Sequence, residues 1–220
     1  MADTVIGGNG RRITPTSKLE AEFGPIDIYL FDQILRGRIA APMRVIDAGC
    51  GWGRNLVYLL RSGCEVFATD ADAGAIAAVR SLAATLAPAL PAANFRVEPV
   101  ERMTFPDAFA DVVISSAVLH FACDEEQFTA MVKEMWRVLR PGGVLFCRLA
   151  SDIGMEGRMR PIDGRRFRLP DGTDRYLVDE ALLMQLTRAL GGALIDPLKT
   201  TIVQDQRCMT TWVVRKPGPV

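Results

Sequence analysis

From Met43 onward the chain alternates short apolar runs of strand type with longer segments of helical periodicity. That alternation admits little other than a parallel sheet joined by crossover helices. Strands are expected near 43–48, 64–69, 94–98, 111–116 and 143–149. Two more β-rich runs, 193–203 and 207–215, are separated only by Gln204-Asp205-Gln206, which predicts a terminal hairpin. The expected fold is α/β: a mostly parallel seven-stranded sheet with helices on both faces and a C-terminal antiparallel hairpin.

Helix signals fit between these runs. Ile26, Ile28, Tyr29, Leu30, Ile34 and Leu35 predict an amphipathic helix over 26–36, stopped by Gly37. Asp124 with Gln127 forms a capping box ahead of the stripe Phe128, Met131, Val132, Met135 and Leu139, and Arg140-Pro141-Gly142-Gly143 is expected to end that helix sharply. A further helix should start at Asp179, bury Leu182, Leu183, Leu186 and Leu190, and stop at Gly191-Gly192. Residues 1–17 have no apolar periodicity and read as a loose tail. A chain of 220 residues suits one domain, here 18–220.

Lys+Arg and Asp+Glu are equal at 26 each, so no global field draws the chain to nucleic acid or an anionic membrane. Neither a signal peptide nor a run of roughly 20 apolar residues is present, and a cytoplasmic location is expected. Cys50, Cys64, Cys123, Cys147 and Cys208 are odd in number, lack a C-x-x-C pair and read as free thiols, with no metal site.

The densest chemistry lies in Val45-Ile46-Asp47-Ala48-Gly49-Cys50-Gly51-Trp52-Gly53-Arg54-Asn55, a buried strand that breaks into a glycine turn and then a helix. Glycines let the backbone approach a ligand closely, with main-chain N–H groups facing its polar atoms. Asp47 stands two residues before the first glycine, and Asp70 ends the next strand at the spacing of a ribose-binding carboxylate. A dinucleotide site would prefer G-x-G-x-x-G below a pyrophosphate, whereas G-x-G-x-G beside an acid suits a cationic ligand.

VIDAGCGWGRN, with Asp70, Asp111-Val112-Val113 and Leu139-Arg140-Pro141-Gly142-Gly143, resembles the class I S-adenosylmethionine-dependent methyltransferases over roughly residues 43–150. The resemblance implies a Rossmann-like fold and S-adenosyl-L-methionine as cofactor. It implies that Asp47, Gly49, Gly51 and Gly53 hold the methionine part, and that Asp70, followed by Ala71, binds ribose. The adenine turn corresponds to Pro99–Phe105, where Pro99 replaces an acid and leaves the contact to the Val100 backbone or Glu101. Ser116 completes the cofactor set. Over G-W-G-R-N and Val57-Tyr58-Leu59 the chain is also similar to the tellurite-resistance branch.

The single histidine, His120, follows the fourth strand at the carboxyl edge of the sheet, where open α/β folds bind ligands. Its ordinary pKa suits a general base, and packing or loop orientation is the alternative. Residues 151–178 are too long and polar for a simple connection and read as a lid, with a hairpin at Leu169-Pro170-Asp171-Gly172. Six arginines fall in it, of which Arg158, Arg160 and Arg166, with Tyr29 of the N-terminal helix, are candidates for acceptor contact. The expected activity is methyl transfer to a small molecule. A non-catalytic cofactor-binding or interaction module, and a nucleotide-dependent oxidoreductase, are the competing readings.

Overall fold

The computed structural model describes residues 5–6, 12–13 and 18–218. The tail expected over 1–17 therefore lies outside the described residues, apart from strands β1 (Val5–Ile6) and β2 (Arg12–Ile13), which pair antiparallel. The chain divides into two compact units, one running to Thr104 and including Ala110–Val113, the other made of Phe105–Phe109 and Ile114 onward.

In the first unit, α1 (Lys18–Phe23) and α2 (Ile28–Leu35) precede the sheet. Asp27 has extended backbone angles and caps α2, accepting from the Tyr29 and Leu30 amides at 3.0 and 3.4 Å, so the helix starts two residues later than its apolar stripe. The chain then runs through β3 (Arg44–Ala48), α3 (Val57–Arg61), β4 (Glu65–Asp70), α4 (Ala73–Leu86) and β5 (Phe95–Val97). β3 pairs parallel with β4 from Arg44↔Glu65 to Ala48↔Thr69, and β4 with β5 from Ala68↔Phe95 to Asp70↔Val97. Val45, Ile46, Val66 and Ala68 are fully buried, which is why these strands read as continuous apolar runs rather than alternating ones. Asp72 caps α4 through the Gly74 amide at 2.7 Å, and Ile76, Val79 and Leu82 supply its buried stripe. Strand β6 (Ala110–Ser116) neighbours β3 and gives the order β6-β3-β4-β5.

The second unit holds α5 (Glu125–Val138), β7 (Leu139–Ala150), β8 (Arg160–Asp163), β9 (Arg166–Arg168), β10 (Asp174–Tyr176), α6 (Glu180–Ala189), β11 (Ala193–Leu194), β12 (Lys199–Val203) and β13 (Arg207–Arg215). The Asp124 carboxylate accepts from the Gln127 amide at 2.7 Å, as a capping box requires, while Gln127 Oε1 accepts from Cys123 rather than from Asp124. α6 ends in a Schellman turn: Gly191, at φ +66°, donates to Arg188 O, and Gly192 to Thr187 O.

One boundary departs from expectation. The helix does end ahead of Arg140-Pro141-Gly142-Gly143, but the strand expected from 143 already begins at Leu139, so β7 takes these residues in and follows α5 without a loop. Gly142, at φ +80°, donates to Lys216 O and Lys216 to Gly143 O, both at 2.9 Å, so pairing with a distant segment holds these residues in the strand. The Lys216 ammonium donates to the Trp136 and Leu139 carbonyls at 2.7 Å each, satisfying acceptors that the end of α5 would leave open.

β13 pairs antiparallel with β7 from Val144↔Arg215 to Ala150↔Met209. The run expected as one strand over 193–203 is divided at residues 195–198, which contain Pro197, into β11 and β12, both paired with β13. The main sheet therefore counts eight strands instead of seven. The fold is Rossmann-like, a mostly parallel α/β sheet closed by an antiparallel strand.

Segment 151–178 folds into a separate antiparallel sheet ordered β10-β9-β8. The expected hairpin forms across Leu169–Thr173, with Asp174 opposite Arg168. Leu169 and Leu177 pack with Ala150, against Met159, Phe167 and Met209, so one face is apolar and the arginines at 166 and 168 alternate onto the other.

Candidate functional site

The glycine loop lies wholly within the first unit. Gly49, Gly51 and Gly53 have φ of +78°, +51° and +78°, a region that side chains with a Cβ avoid, which accounts for the three glycines at alternate positions. The loop is tied down by backbone: the Gly49 and Cys50 amides both donate to Thr69 O, at 2.8 and 3.0 Å. A Cβ on Gly51 would meet nothing within 4 Å, whereas one on Gly53 would meet Val79 Cγ2 at 3.1 Å and Leu82 Cδ2 at 3.2 Å. Gly51 thus borders open space, and Gly53 lets the loop pack on α4.

Asp70 closes this arrangement. Its Oδ2 accepts from the Gly51 amide at 2.8 Å and its Oδ1 from the Asp72 amide at 2.9 Å. Asp72, not Asp70, is the helix cap. Each carboxylate oxygen of Asp70 retains a lone pair for a further donor. Ala71 follows it, exposed at the strand end.

Asp47 is 1 % exposed at the end of β3, and its Oδ2 has no hydrogen-bond partner. Burial pushes its carboxyl up to about 7; Arg54 opposes the shift and Asp70 adds to it. A buried, partnerless carboxylate beside a glycine loop is costly unless a ligand completes it. Thr69 Oγ1, on the adjacent strand, is likewise buried and without a partner. These two groups and the open face at Gly51 fit a small ligand with cationic and hydrogen-bonding parts.

The turn from Pro99, matched in the sequence to an adenine contact, is held by its own backbone. Pro99 O accepts from the Arg102 amide at 3.1 Å, and Val100 is buried at 5 % exposure. The nearby Glu98 is committed to Thr104, accepting from its amide at 2.9 Å and also from its hydroxyl. Glu101 is half-buried and already engaged.

Sequence reasoning missed a support beneath the loop. Asp27 is 4 % exposed; its amide donates to Asn55 Oδ1 at 3.0 Å, and Arg54 approaches its carboxylate at 3.7 Å. The cap of α2 is thereby joined to the residues that follow Gly53. A Cβ on Gly24 would lie 2.7 Å from Val57, so α1 also closes tightly on α3. The acid before the Ile28 helix was the available signal for this link. Tyr29, on α2, is half-buried.

In the second unit, Ser116 ends β6 at 8 % exposure. His120 sits in a one-turn 3-10 helix, Leu119–Phe121, 5 % exposed, with Nδ1 accepting from the Ala150 amide at 3.3 Å. Burial, reinforced by the Arg175 and Arg148 guanidinium groups, lowers its pKa to about 3. With Nδ1 as acceptor, the neutral ring carries its proton on Nε2. Arg175 lies 4.8 Å from the Phe121 ring centre, holding β10 on this turn.

The three candidate arginines separate. Arg158 pairs with Asp205, and Arg158 and Arg160 line a pocket of about 410 Å³ together with Arg168, Leu169, Pro170 and Gly172. Arg166, half-buried on β9, is not among its lining residues. Among the described residues no cluster of His, Cys, Asp and Glu could hold a metal, and no helix is long and apolar enough to cross a membrane.

Comparison with known proteins gives this geometry a context. Residues 46–147 match the family described as methyltransferase domain. A malonyl-[acyl-carrier protein] O-methyltransferase of Enterobacter lignolyticus is 37 % identical over 142 residues, 63 % of this chain and 51 % of that protein. A probable S-adenosylmethionine-dependent methyltransferase of Mycolicibacterium smegmatis is 27 % identical over 177 residues, 73 % of this chain and 65 % of that protein. The chain thus spans between about half and two thirds of these relatives. Among solved structures, the Burkholderia thailandensis 1,6-didemethyltoxoflavin-N1-methyltransferase superposes with a TM-score of 0.67 at 19 % identity, covering 91 % of this chain and 81 % of that one. At that identity the likeness is one of fold.

Proposed function

We propose that this chain, a member of the class I S-adenosylmethionine-dependent methyltransferase family through residues 46–147, transfers a methyl group from S-adenosylmethionine to a small-molecule acceptor. The observation that carries the reading is the buried, partnerless Asp47 carboxylate beside a loop anchored to Asp70. The bound cofactor supplies a methyl carbon already activated by its sulfonium.

The protein's part is binding, orientation and exclusion of water. Asp47 meets the cationic end of the ligand; the amides around Gly49 and Gly51 and the packing at Gly53 shape the loop; Asp70 accepts from the ribose hydroxyls. Ala71, Val100, Glu101 and Ser116 complete the cofactor set, with Val100 contributing backbone and apolar surface because Pro99 offers no N–H. Tyr29, Arg158, Arg160 and Arg166 belong to the acceptor side, residues 151–178 act as its lid, and 18–220 work as one domain.

Labelled-methyl transfer across a panel of small hydroxyl, thiol and carboxylate acceptors tests the reading, beside calorimetric titration with S-adenosylmethionine, S-adenosylhomocysteine and NAD. One site per chain for the first two ligands and none for NAD is expected. Binding without turnover on any acceptor would favour a non-catalytic module, a reading for which Pro99 is the specific argument. Tighter binding of NAD would replace both.

Asp47 makes the binding pH-dependent. Its carboxyl is raised to about 7 in the free protein, and a cation bound beside it stabilises the ionised form. Cofactor binding should therefore release a proton below neutrality, and affinity should rise with pH and level off above about 7. Calorimetry in buffers of different ionisation enthalpy measures the release; identical heats in all buffers at pH 6 would remove the coupling, as would Asp47→Asn retaining it.

We assign His120 a positioning role instead of that of a base. A ring with pKa near 3 whose Nδ1 already accepts the Ala150 amide offers little basicity at neutral pH. His120→Asn, which keeps an acceptor for that amide, should retain most of the single-turnover rate, and His120→Ala should lose roughly 10-fold as the turn loosens. Neither should remove a titration near pH 6.5. Loss of such a titration together with a fall of roughly 100-fold would restore His120 as the base.

A further inference from the structure

The three-stranded sheet of the second unit places two arginines directly opposite each other. Arg160 on β8 pairs in register with Arg168 on β9, and Arg168 in turn with Asp174 on β10. Residues directly opposite in an antiparallel ladder share a face, and like charges so placed repel. One cross-strand row therefore holds two guanidinium groups and a single carboxylate.

Four nearby acids are already engaged. Asp174 is taken by Arg168, through Nε and at 2.9 Å through a second nitrogen. Asp171 accepts from the Thr173 amide at 3.0 Å and hydroxyl at 2.6 Å and faces Arg207 at 3.9 Å. Glu156 accepts from the Gly154 amide at 2.9 Å, and Asp179 pairs with Arg165 at 3.0 Å. Arg158 pairs with Asp205. Among the described residues Arg160 has no ion pair or hydrogen bond through its side chain.

These three arginines converge on the pocket of about 410 Å³ floored by Leu169, Pro170 and Gly172. The volume falls within the range of small-molecule sites. Its turn is fixed: Gly172, at φ +83°, donates to Leu169 O at 3.0 Å, and the buried Leu169 anchors the floor in the apolar cluster. One face of the sheet is thus anchored in the apolar cluster, while the other carries Arg160 without a side-chain partner among the described residues.

We propose that Arg158, Arg160 and Arg168 form a binding pocket for the phosphoryl group of a small molecule. A phosphoryl group offers three terminal oxygens and close to two negative charges to three guanidinium forks, whereas a single carboxylate offers two oxygens and one charge. Arg160 supplies an unengaged fork. Arg158 and Arg168 exchange solvent-exposed ion pairs with Asp205 and Asp174 for charge-assisted bonds to the ligand. The pocket draws on residues 158–172 alone and does not depend on the methyl-transfer reading.

The test is calorimetric titration of the full chain with inorganic phosphate and pyrophosphate at low ionic strength, with malonate and citrate as carboxylate probes. Saturable binding of phosphate and pyrophosphate is expected, weakening steeply with added salt. Arg160→Ala and Arg168→Ala should each weaken it by roughly 10-fold or more, Arg160→Lys by less, and Arg188→Ala, outside the pocket, not at all. Affinity for S-adenosylmethionine, measured in the same variants, should not move, which separates failure here from failure of the cofactor assignment. No saturable binding to the wild-type chain, an equal loss in Arg188→Ala, or carboxylates binding as tightly as phosphate would each overturn the proposal.

Discussion

Asp70→Ala is expected to lower affinity for S-adenosylmethionine and S-adenosylhomocysteine alike, by roughly 100-fold or more. The side chain holds Gly51 through its amide at 2.8 Å and is assigned both ribose hydroxyls, so the substitution loosens the loop and removes two charge-assisted acceptors. Hydrogen bonds to charged groups contribute about 1.5–3 kcal/mol each, and 1.4 kcal/mol is tenfold in affinity. Both ligands carry the same ribose, which is why the loss should not discriminate between them. Asp70→Asn keeps one acceptor and should fall between wild type and alanine. Wild-type affinity in Asp70→Ala, or a selective loss of one ligand, would remove Asp70 from the ribose role.

The second large effect is on stability. Trp212 on β13 is fully buried, and its indole N–H donates to Thr187 Oγ1 at 2.9 Å, while that hydroxyl donates to Leu183 O at 2.7 Å. The ring therefore joins the antiparallel strand to α6. Trp212→Ala should cost about 3–5 kcal/mol through lost burial and the cavity left behind. For a chain of this size each kcal/mol lowers Tm by about 2–4 °C, so a fall on the order of 10 °C is expected by thermal unfolding. Trp212→Phe leaves the Thr187 to Leu183 bond intact and should lose less than half as much. A Tm within about 2 °C of wild type for Trp212→Ala would show that β13 docks without this side chain.

What could be read from the sequence was what local chemistry decides. β3, β4 and β6 fall within a residue or so of expectation because continuous apolar runs bounded by Asp or Gly admit one reading. Asp124 and Asp179 cap the helices they preceded in the sequence. The glycine loop was legible because positive φ at three alternate positions can hardly be met by any other residue. Elements fixed by distant partners were not. Nothing local tells that Arg140-Pro141-Gly142-Gly143 is taken into β7, since the pairing with Lys216 lies far off in sequence. The division of 193–203 was marked only by Pro197, and the six-residue α1 is too short to show a period. In the site, the bond from Asp27 to Asn55 joins residues 28 apart, and the register that sets Arg160 against Arg168 depends on the turn between their strands. In the sequence Arg166 stood out only as one of six arginines in a polar segment, whereas Arg168 came into view through strand pairing.

The divided strand bears on how the sheet meets other molecules. An outermost strand presents unpaired N–H and C=O groups along its length, a template on which another chain can add and aggregate. Here β11 contributes two residues and β12 five; Ile195 still donates to Val213 O at 3.1 Å, and the pairing resumes only at Lys199. Ile202 and Val203 are exposed on β12, so an uninterrupted run from 193 to 203 would be long, apolar and open. The break at Pro197 shortens the continuous rim, and replacing Pro197 with a β-branched residue is expected to lengthen it and lower solubility.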